Sequence, residues 1–417
     1  MFVGRSRELS GLRALMRKKT ASLVTCRGRR RIGKSTLIRE FGKDADRFLE
    51  FEGLPPRPGL SNADQLATFS QQLARQTHVP EFTLNSWPEA FHLLASTLGD
   101  EWTVILLDEI SWLGGHDPDF PGHLKAAWDR MLKTNPKLIL VLCGSVSAWI
   151  DDNILKHTGF VGRTSWDIVL GELPLSCCDL FWGKTRTRTR VQEKLSVLSV
   201  TGGVPRYLEE IDPALSAERN IQRLCFVPEG LLFREFDQIF SDVFGKRAQV
   251  CREMLRSVTH GAKTISEMAQ AIGKERGGRV SEYAQDLVLA GFLSKDTPHD
   301  PRTGRPSRLV RYRLRDNYSR FYLRYIEPIR DRIEQGLMSN LALDQLPEWS
   351  GLLGLQMENL VLANIPALLS HLGLEKTPIL SAGPYVQRAT ARRRGCQVDL
   401  LIMTRRGLYL IEIKHRE

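Results

Sequence analysis

The run SLVTCRGRRRIGKSTLIRE (22–40) decides the fold. Its first residues form a short apolar strand, and STLIREFG repeats its apolar positions at helical spacing. Between them GRRRIGKS (28–35) matches G-x-x-x-x-G-K-[ST], a loop that carries the chain from a strand into a helix around phosphate. The chemistry explains the spacing. Gly28 and Gly33 let the backbone curl, so that N–H groups across Arg29, Arg30, Arg31 and Ile32 face phosphate oxygens. The helix that starts there adds its positive end. Lys34 would neutralise the β and γ phosphates, and the Ser35 hydroxyl, with Thr36 beside it, would coordinate Mg²⁺. ATP and Mg²⁺ are therefore the expected cofactors.

Working outward, four more apolar runs read as strands: RFLEFEG (47–53), WTVILLDEI (102–110), KLILVLCGS (137–145) and SWDIVLGEL (165–173). Helical stretches near 61–76, 87–98 and 120–133 separate them. Apolar strands alternating with helices predict an α/β domain with a parallel sheet covered on both faces. Asp108 ends an apolar strand, where its carboxylate would reach the Mg²⁺ water shell. Glu109 would orient the attacking water as general base. A strand and helices lie between the two motifs, an order that belongs to ATPases with a catalytic glutamate.

The 417 residues exceed one compact core and suit several domains. No apolar run reaches the ~18–20 residues of a membrane helix, and no secretory h-region opens the chain. The seven cysteines include no CxxC pair, so they read as reduced thiols rather than a disulfide framework or zinc site. A cytoplasmic protein with no membrane partner is expected. The formal charge of +11 points to a polyanionic partner. It is concentrated: residues 246–330 hold 18 Lys/Arg against nine Asp/Glu.

With these residues in place, the chain resembles archaeal-type AAA+/STAND ATPases over about residues 1–330. FVGRSRELSGL (2–12) is similar to the family's opening, where the loop packs against adenine; this implies contacts from Phe2, Val3 and Arg5. Ser145, ending LILVLCGS, falls at the sensor 1 position. Arg163, in FVGRTSWDIVLGELPL (160–175), falls at an arginine-finger or nucleotide-contacting position, acting in cis or from a neighbouring subunit. TGGVPRYL (201–208) is similar to the family's lid motif, which implies nucleotide contacts for Pro205 and Arg206. The resemblance implies ATP held between an α/β core (1–173) and a helical lid (174–245).

Residues 246–330 read as three helices and a hairpin, a winged helix as in that family. Its third helix (279–292) would enter a major groove. The hairpin arginines 302, 305, 308, 311 and 313 would track phosphates, against the repulsion of Glu282 and Asp286. DNA is the expected partner, with a protein partner or homo-oligomer also open. After a linker (331–349), residues 350–417 resemble the PD-(D/E)xK nuclease core. Asp399 and Glu412 would hold metal, with helical Glu358 nearby, and Lys414 would steady the nucleophile. Glu412 and Lys414, two apart in a strand, are expected on one face. That core normally continues beyond the lysine, so with Glu417 three residues later the segment reads as truncated. Function is expected to be an ATP-hydrolysing switch coupled to DNA. The alternatives are a non-hydrolysing ATP-bound regulator and a metal-dependent nuclease that the ATPase regulates.

Overall fold

The computed structural model describes residues 2–145, 148–156, 158–275, 277–389 and 394–415. The chain divides into two compact units, Met1–Gly171 and Glu172–Glu417.

The first unit carries β1 (Ser22–Gly28), β2 (Arg47–Glu52), β3 (Thr103–Asp108), β4 (Leu138–Ser145) and β5 (Thr164–Leu170). All five lie where the apolar runs predict. They form one sheet in the order β2-β3-β4-β1-β5, and every pairing is parallel. β1, β3 and β4 are buried almost throughout, which is why they read as unbroken apolar runs rather than alternating ones. One expectation shifts. The strand separating β1 from β3 is β4, which comes later in sequence, whereas β2, between the motifs in sequence, lies at the sheet edge.

Helices cover the sheet: α1 (Ser6–Leu15), α2 (Lys34–Gly42), α3 (Asn62–Gln76), α4 (Trp87–Ser96), α5 (Ile110–Leu113) and α6 (Phe120–Arg130). Ser61 and Asp64 close a reciprocal capping box on α3, and the Ser86 hydroxyl accepts the Glu89 N–H at the start of α4. On one face α3, α4 and α6 meet in an aromatic cluster of Phe51, Phe69, Trp87, Phe91 and Phe120. Trp87 meets Phe120 edge-on with ring centroids 4.8 Å apart, a geometry worth ~0.5–1.5 kcal/mol beyond its buried area. Because the strands are parallel, their C-terminal ends share one edge. The register sets Gly28 beside Ser145 and Glu52 beside Asp108 there.

The second unit is helical to residue 244, as expected. Three helices follow, Ala248–Ser257, Ile265–Ala271 and Gly278–Leu289, then the antiparallel pair β6 (Leu293–Asp296) and β7 (Arg311–Leu314). A further bridge, Lys263 to Tyr312, adds a rung ahead of the second helix. The 331–349 stretch is packed rather than a free linker. Leu343 and Leu346 are buried, and Gln222 donates to the Leu341 carbonyl at 2.9 Å.

The run at 352–372 is two helices, Trp349–Ala363 and Ile365–His371, bent by 77° at Asn364 just before Pro366. The last elements are β8 (Ile379–Gln387), β9 (Cys396–Thr404) and β10 (Leu408–Ile411), an antiparallel sheet ordered β10-β9-β8. β8 has no counterpart in the sequence reading. β10 ends at Ile411, so Glu412 and Lys414 lie beyond the strand rather than on one of its faces. Among the described residues, no single helix is long and apolar enough to cross a membrane.

Candidate functional site

The loop from Gly28 to Gly33 leaves the sheet between two neighbours, since β1 pairs with both β4 and β5. A Cβ at Gly28 would stand 2.6 Å from the Leu170 carbonyl, closer than real side chains approach. Gly33 takes the left-handed φ of 86° that turns the chain into α2. Lys34 is only 6% exposed, and its Nζ donates to the carbonyls of Gly28 (3.1 Å) and Arg29 (3.2 Å). The ammonium is thus held over the loop. Thr36 is exposed in the first turn of α2. Arg29 is buried, Arg31 is exposed with φ 67°, and the Arg30 guanidinium lies 5.3 Å from the Trp112 ring centroid.

Ser35 and Asp108 meet directly. The Ser35 hydroxyl donates to Asp108 Oδ2 at 2.5 Å, and Asp108 Oδ1 accepts the Glu109 N–H at 3.0 Å. Glu109 has φ 47°, a left-handed conformation that costs a side-chain-bearing residue ~1–2 kcal/mol. That turn carries its carboxylate to Ser145, whose N–H and hydroxyl both donate to it at 3.3 Å. Hydroxyl and carboxylate oxygens converging on one point suit Mg²⁺, which takes oxygen ligands. The residues present therefore fit that ion.

Two residues here have roles the sequence did not convey. Arg5 is 8% exposed, and its Nη2 donates to the carbonyls of Ile32 (3.1 Å) and Gly171 (2.6 Å). It braces the phosphate loop against the end of β5, while Val3 is buried and Phe2 half-buried nearby in sequence. Glu52, not singled out before, pairs in register with Asp108. Burial, then Asp108, push its carboxyl above the ordinary value, so it borders the same acidic point. An acid at the end of an apolar strand was its only sequence signal.

Other expected residues stand elsewhere. Arg163 precedes β5, whose first residue pairs with Leu23 at the start of β1. It therefore sits at the N-terminal edge of the sheet, opposite the phosphate loop. There it grips Asp129 with two bonds of 2.8 and 2.9 Å, holding that carboxyl well below the usual range. A cis contact from Arg163 to the loop is excluded by this placement. Pro205 opens the short helix Pro205–Leu208 of the second unit, and Arg206 pairs with Glu210 at 2.5 Å. The preceding glycines have a packing reason: a Cβ at Gly203 would stand 2.4 Å from the Leu173 carbonyl.

In the basic segment, Arg302, Arg305 and Arg308 are exposed, but Arg311 and Arg313 are not free. Arg311 donates to the Ala262 carbonyl, and Arg313 pairs with Asp296 at 2.9 Å and donates to Asn359. Asp286 is tied to Arg247, which leaves Glu282 as the exposed acid of that helix.

Of the C-terminal group, Glu358 and Asp399 line one cavity of about 240 Å³. Asp399 Oδ2 accepts the Ile413 N–H at 2.8 Å. Glu412 and Lys414 are 3.8 Å apart and mostly exposed. Burial, then Asp399, push the Glu358 carboxyl upward, the mark of like charges gathered where a cation would relieve them. The residues fit a divalent ion in kind. Their oxygens do not close to the 4.8 Å span that, among the described residues, Asp117, Asp119 and His123 achieve.

The sheet order and the phosphate loop together define the P-loop ATPase fold. No family model matches the chain. An uncharacterized protein of Methanocaldococcus jannaschii is 23% identical over 342 residues, 81% of this chain and 71% of that one. Among solved structures, a Walker-type ATPase of Pyrococcus abyssi superposes with a TM-score of 0.54 at 15% identity. The match covers 78% of this chain and 96% of that one, and shows the shared fold. The ORC2 protein of Aeropyrum pernix aligns at a TM-score of 0.44 and 13% identity, over 81% of this chain and 96% of that one.

Arg5 gives the first prediction. Arg5→Met leaves two buried carbonyls without donors, at about 1–3 kcal/mol each. It should lower the urea midpoint and weaken binding of a fluorescent ATP analogue roughly tenfold, with Arg5→Lys recovering part of both.

Proposed function

We propose that the chain is an ATP-binding and ATP-hydrolysing switch of the AAA+/STAND type that couples nucleotide state to DNA binding. The observation that carries this reading is the convergence of Lys34, Ser35, Asp108, Glu109 and Ser145 at one edge of the sheet. Bound Mg²⁺, held by Ser35 and Asp108, would supply charge neutralisation for the phosphates. Lys34, freed from the loop carbonyls, would take the γ-phosphate oxygens. Glu109 would hold the attacking water and accept its proton. Ser145 now donates to Glu109. A γ-phosphate that drew the Ser145 hydroxyl toward itself would release Glu109 for that water, which ties activation to a triphosphate. Arg163 would enter only from a neighbouring copy, so an arginine finger would make the active form a homo-oligomer.

The distinction from a non-hydrolysing regulator is direct. Lys34→Ala should abolish ATP binding and turnover. Glu109→Gln should retain ATP and lose turnover by about 10²–10⁴, the scale of general base catalysis. Turnover that survives Lys34→Ala would reject the site. ATP binding without wild-type turnover would favour the regulator.

For residues 246–330 we read a winged helix whose exposed hairpin arginines, 302, 305 and 308, meet phosphates. Each phosphate contact should contribute about −0.9 to the slope of log K against log salt. Mobility shifts over a salt series should therefore give a triple Arg→Ala variant a slope shallower by roughly 2–3. Equal slopes would remove the hairpin from the DNA interface. Nuclease activity with Mg²⁺ at Glu358, Asp399 and Glu412 is the second output reading, favoured by the shared cavity of the first two.

A further inference from the structure

The cavity beside Glu358 is built by three parts of the second unit: the hairpin, the buried helix turn at Arg320 and the C-terminal sheet. Arg320, on its wall, is 1% exposed. Its guanidinium donates only to neutral oxygens: the Leu314 carbonyl at 2.6 Å, the Leu355 carbonyl at 3.1 Å and Gln356 Oε1 at 2.7 Å. Its Nε has no hydrogen-bond partner, and among the described residues no carboxylate pairs with it. Burial and the neighbouring Arg313 pull its pKa down to about 9, which still leaves it charged at neutral pH. A buried cation without a counter-ion is costly unless something answers it.

The rest of the lining sorts into groups already engaged and groups left open. Arg313 and Asp296 satisfy each other, and Arg311 is bonded to a backbone carbonyl. Asp399 takes a backbone N–H. The Glu358 carboxylate accepts no hydrogen bond among the described residues. The cavity thus presents an unanswered positive charge on one wall and an unanswered carboxylate, with Asp399 beside it, on another. A ligand that carries an anion and brings a cation with it satisfies both. About 240 Å³ lies just below the ~300–1,000 Å³ of small-ligand pockets, room for a phosphate group or one nucleotide and not for a duplex.

We propose that this cavity is a binding site for a single phosphate monoester accompanied by a divalent cation, with Arg320 and Arg313 on the phosphate and Glu358 and Asp399 toward the cation. The hairpin of the basic segment is then part of the site, and the nuclease-like carboxylates receive a strand end or a free nucleotide rather than continuous DNA. The proposal concerns binding. It is independent of the ATPase reading, and cleavage is no part of it.

The test is calorimetry on the full chain in a Lys34→Ala background, which removes the phosphate loop from the signal. Inorganic phosphate should bind in the presence of Mg²⁺, and Arg320→Gln should weaken that binding at least tenfold. If Arg320→Gln does not fold, two variants keep the proposal testable. Arg313→Gln should weaken phosphate binding several-fold. Glu358→Gln should make binding independent of Mg²⁺. A 5′-phosphorylated single strand that competes where its unphosphorylated twin does not assigns the site to chain ends. Competition by adenosine monophosphate alone assigns it to free nucleotides. No heat with phosphate, or binding unchanged by Arg313→Gln and Glu358→Gln, overturns the proposal.

Discussion

A side chain at position 28 has nowhere to go. β1 is paired on both sides, and the Leu170 carbonyl stands where a Cβ at Gly28 would begin. Only a bare backbone can leave the sheet at that point and still curl into α2. Much of the first unit follows from that exit. Lys34 reaches back over the loop because Gly33 turns left-handed, and Ser35 then lies against Asp108 at the end of β3. Arg5 fixes the same loop from outside by holding a carbonyl on it and another at the end of β5.

The second unit is organised around a different constraint, a buried guanidinium. Arg320 draws together the end of β7, the helix Trp349–Ala363 and its own helix turn through bonds to Leu314, Leu355 and Gln356. Asn359 reinforces this junction, donating to the Leu314 carbonyl at 3.0 Å and to Asn317 Oδ1 at 2.9 Å. The basic hairpin and the C-terminal helix are therefore one packed body, although the sequence presents them as separate domains.

How much was legible depends on where each residue's partners lie. The five parallel strands could be read because burial on both faces leaves an unbroken apolar run. The phosphate loop could be read because its geometry is local. β8 could not: ILSAGPYVQ is only partly buried along its length and carries Gly383 and Pro384, so no period shows. The five hairpin arginines look alike in sequence. Only their placement separates exposed Arg302, Arg305 and Arg308 from Arg311 and Arg313, which the rest of the fold engages. Arg5 looked like a ligand contact because its real partners are backbone carbonyls 27 and 166 residues away. Arg163 stayed ambiguous until the direction of β5 placed it at the far edge.

The central claim is that Ser35 and Asp108 meet because they are the two protein ligands of one ion at a nucleotide site. Crystals grown with Mn²⁺ and a non-hydrolysable ATP analogue test it through the anomalous signal of the metal. The account predicts one peak between the two residues, with the Ser35 hydroxyl at about 2.0–2.2 Å from it. Their present 2.5 Å hydrogen bond should be opened and the β and γ phosphates should lie on Lys34. A nucleotide bound elsewhere, or a metal peak absent from that point while Ser35 and Asp108 stay in contact, would contradict it.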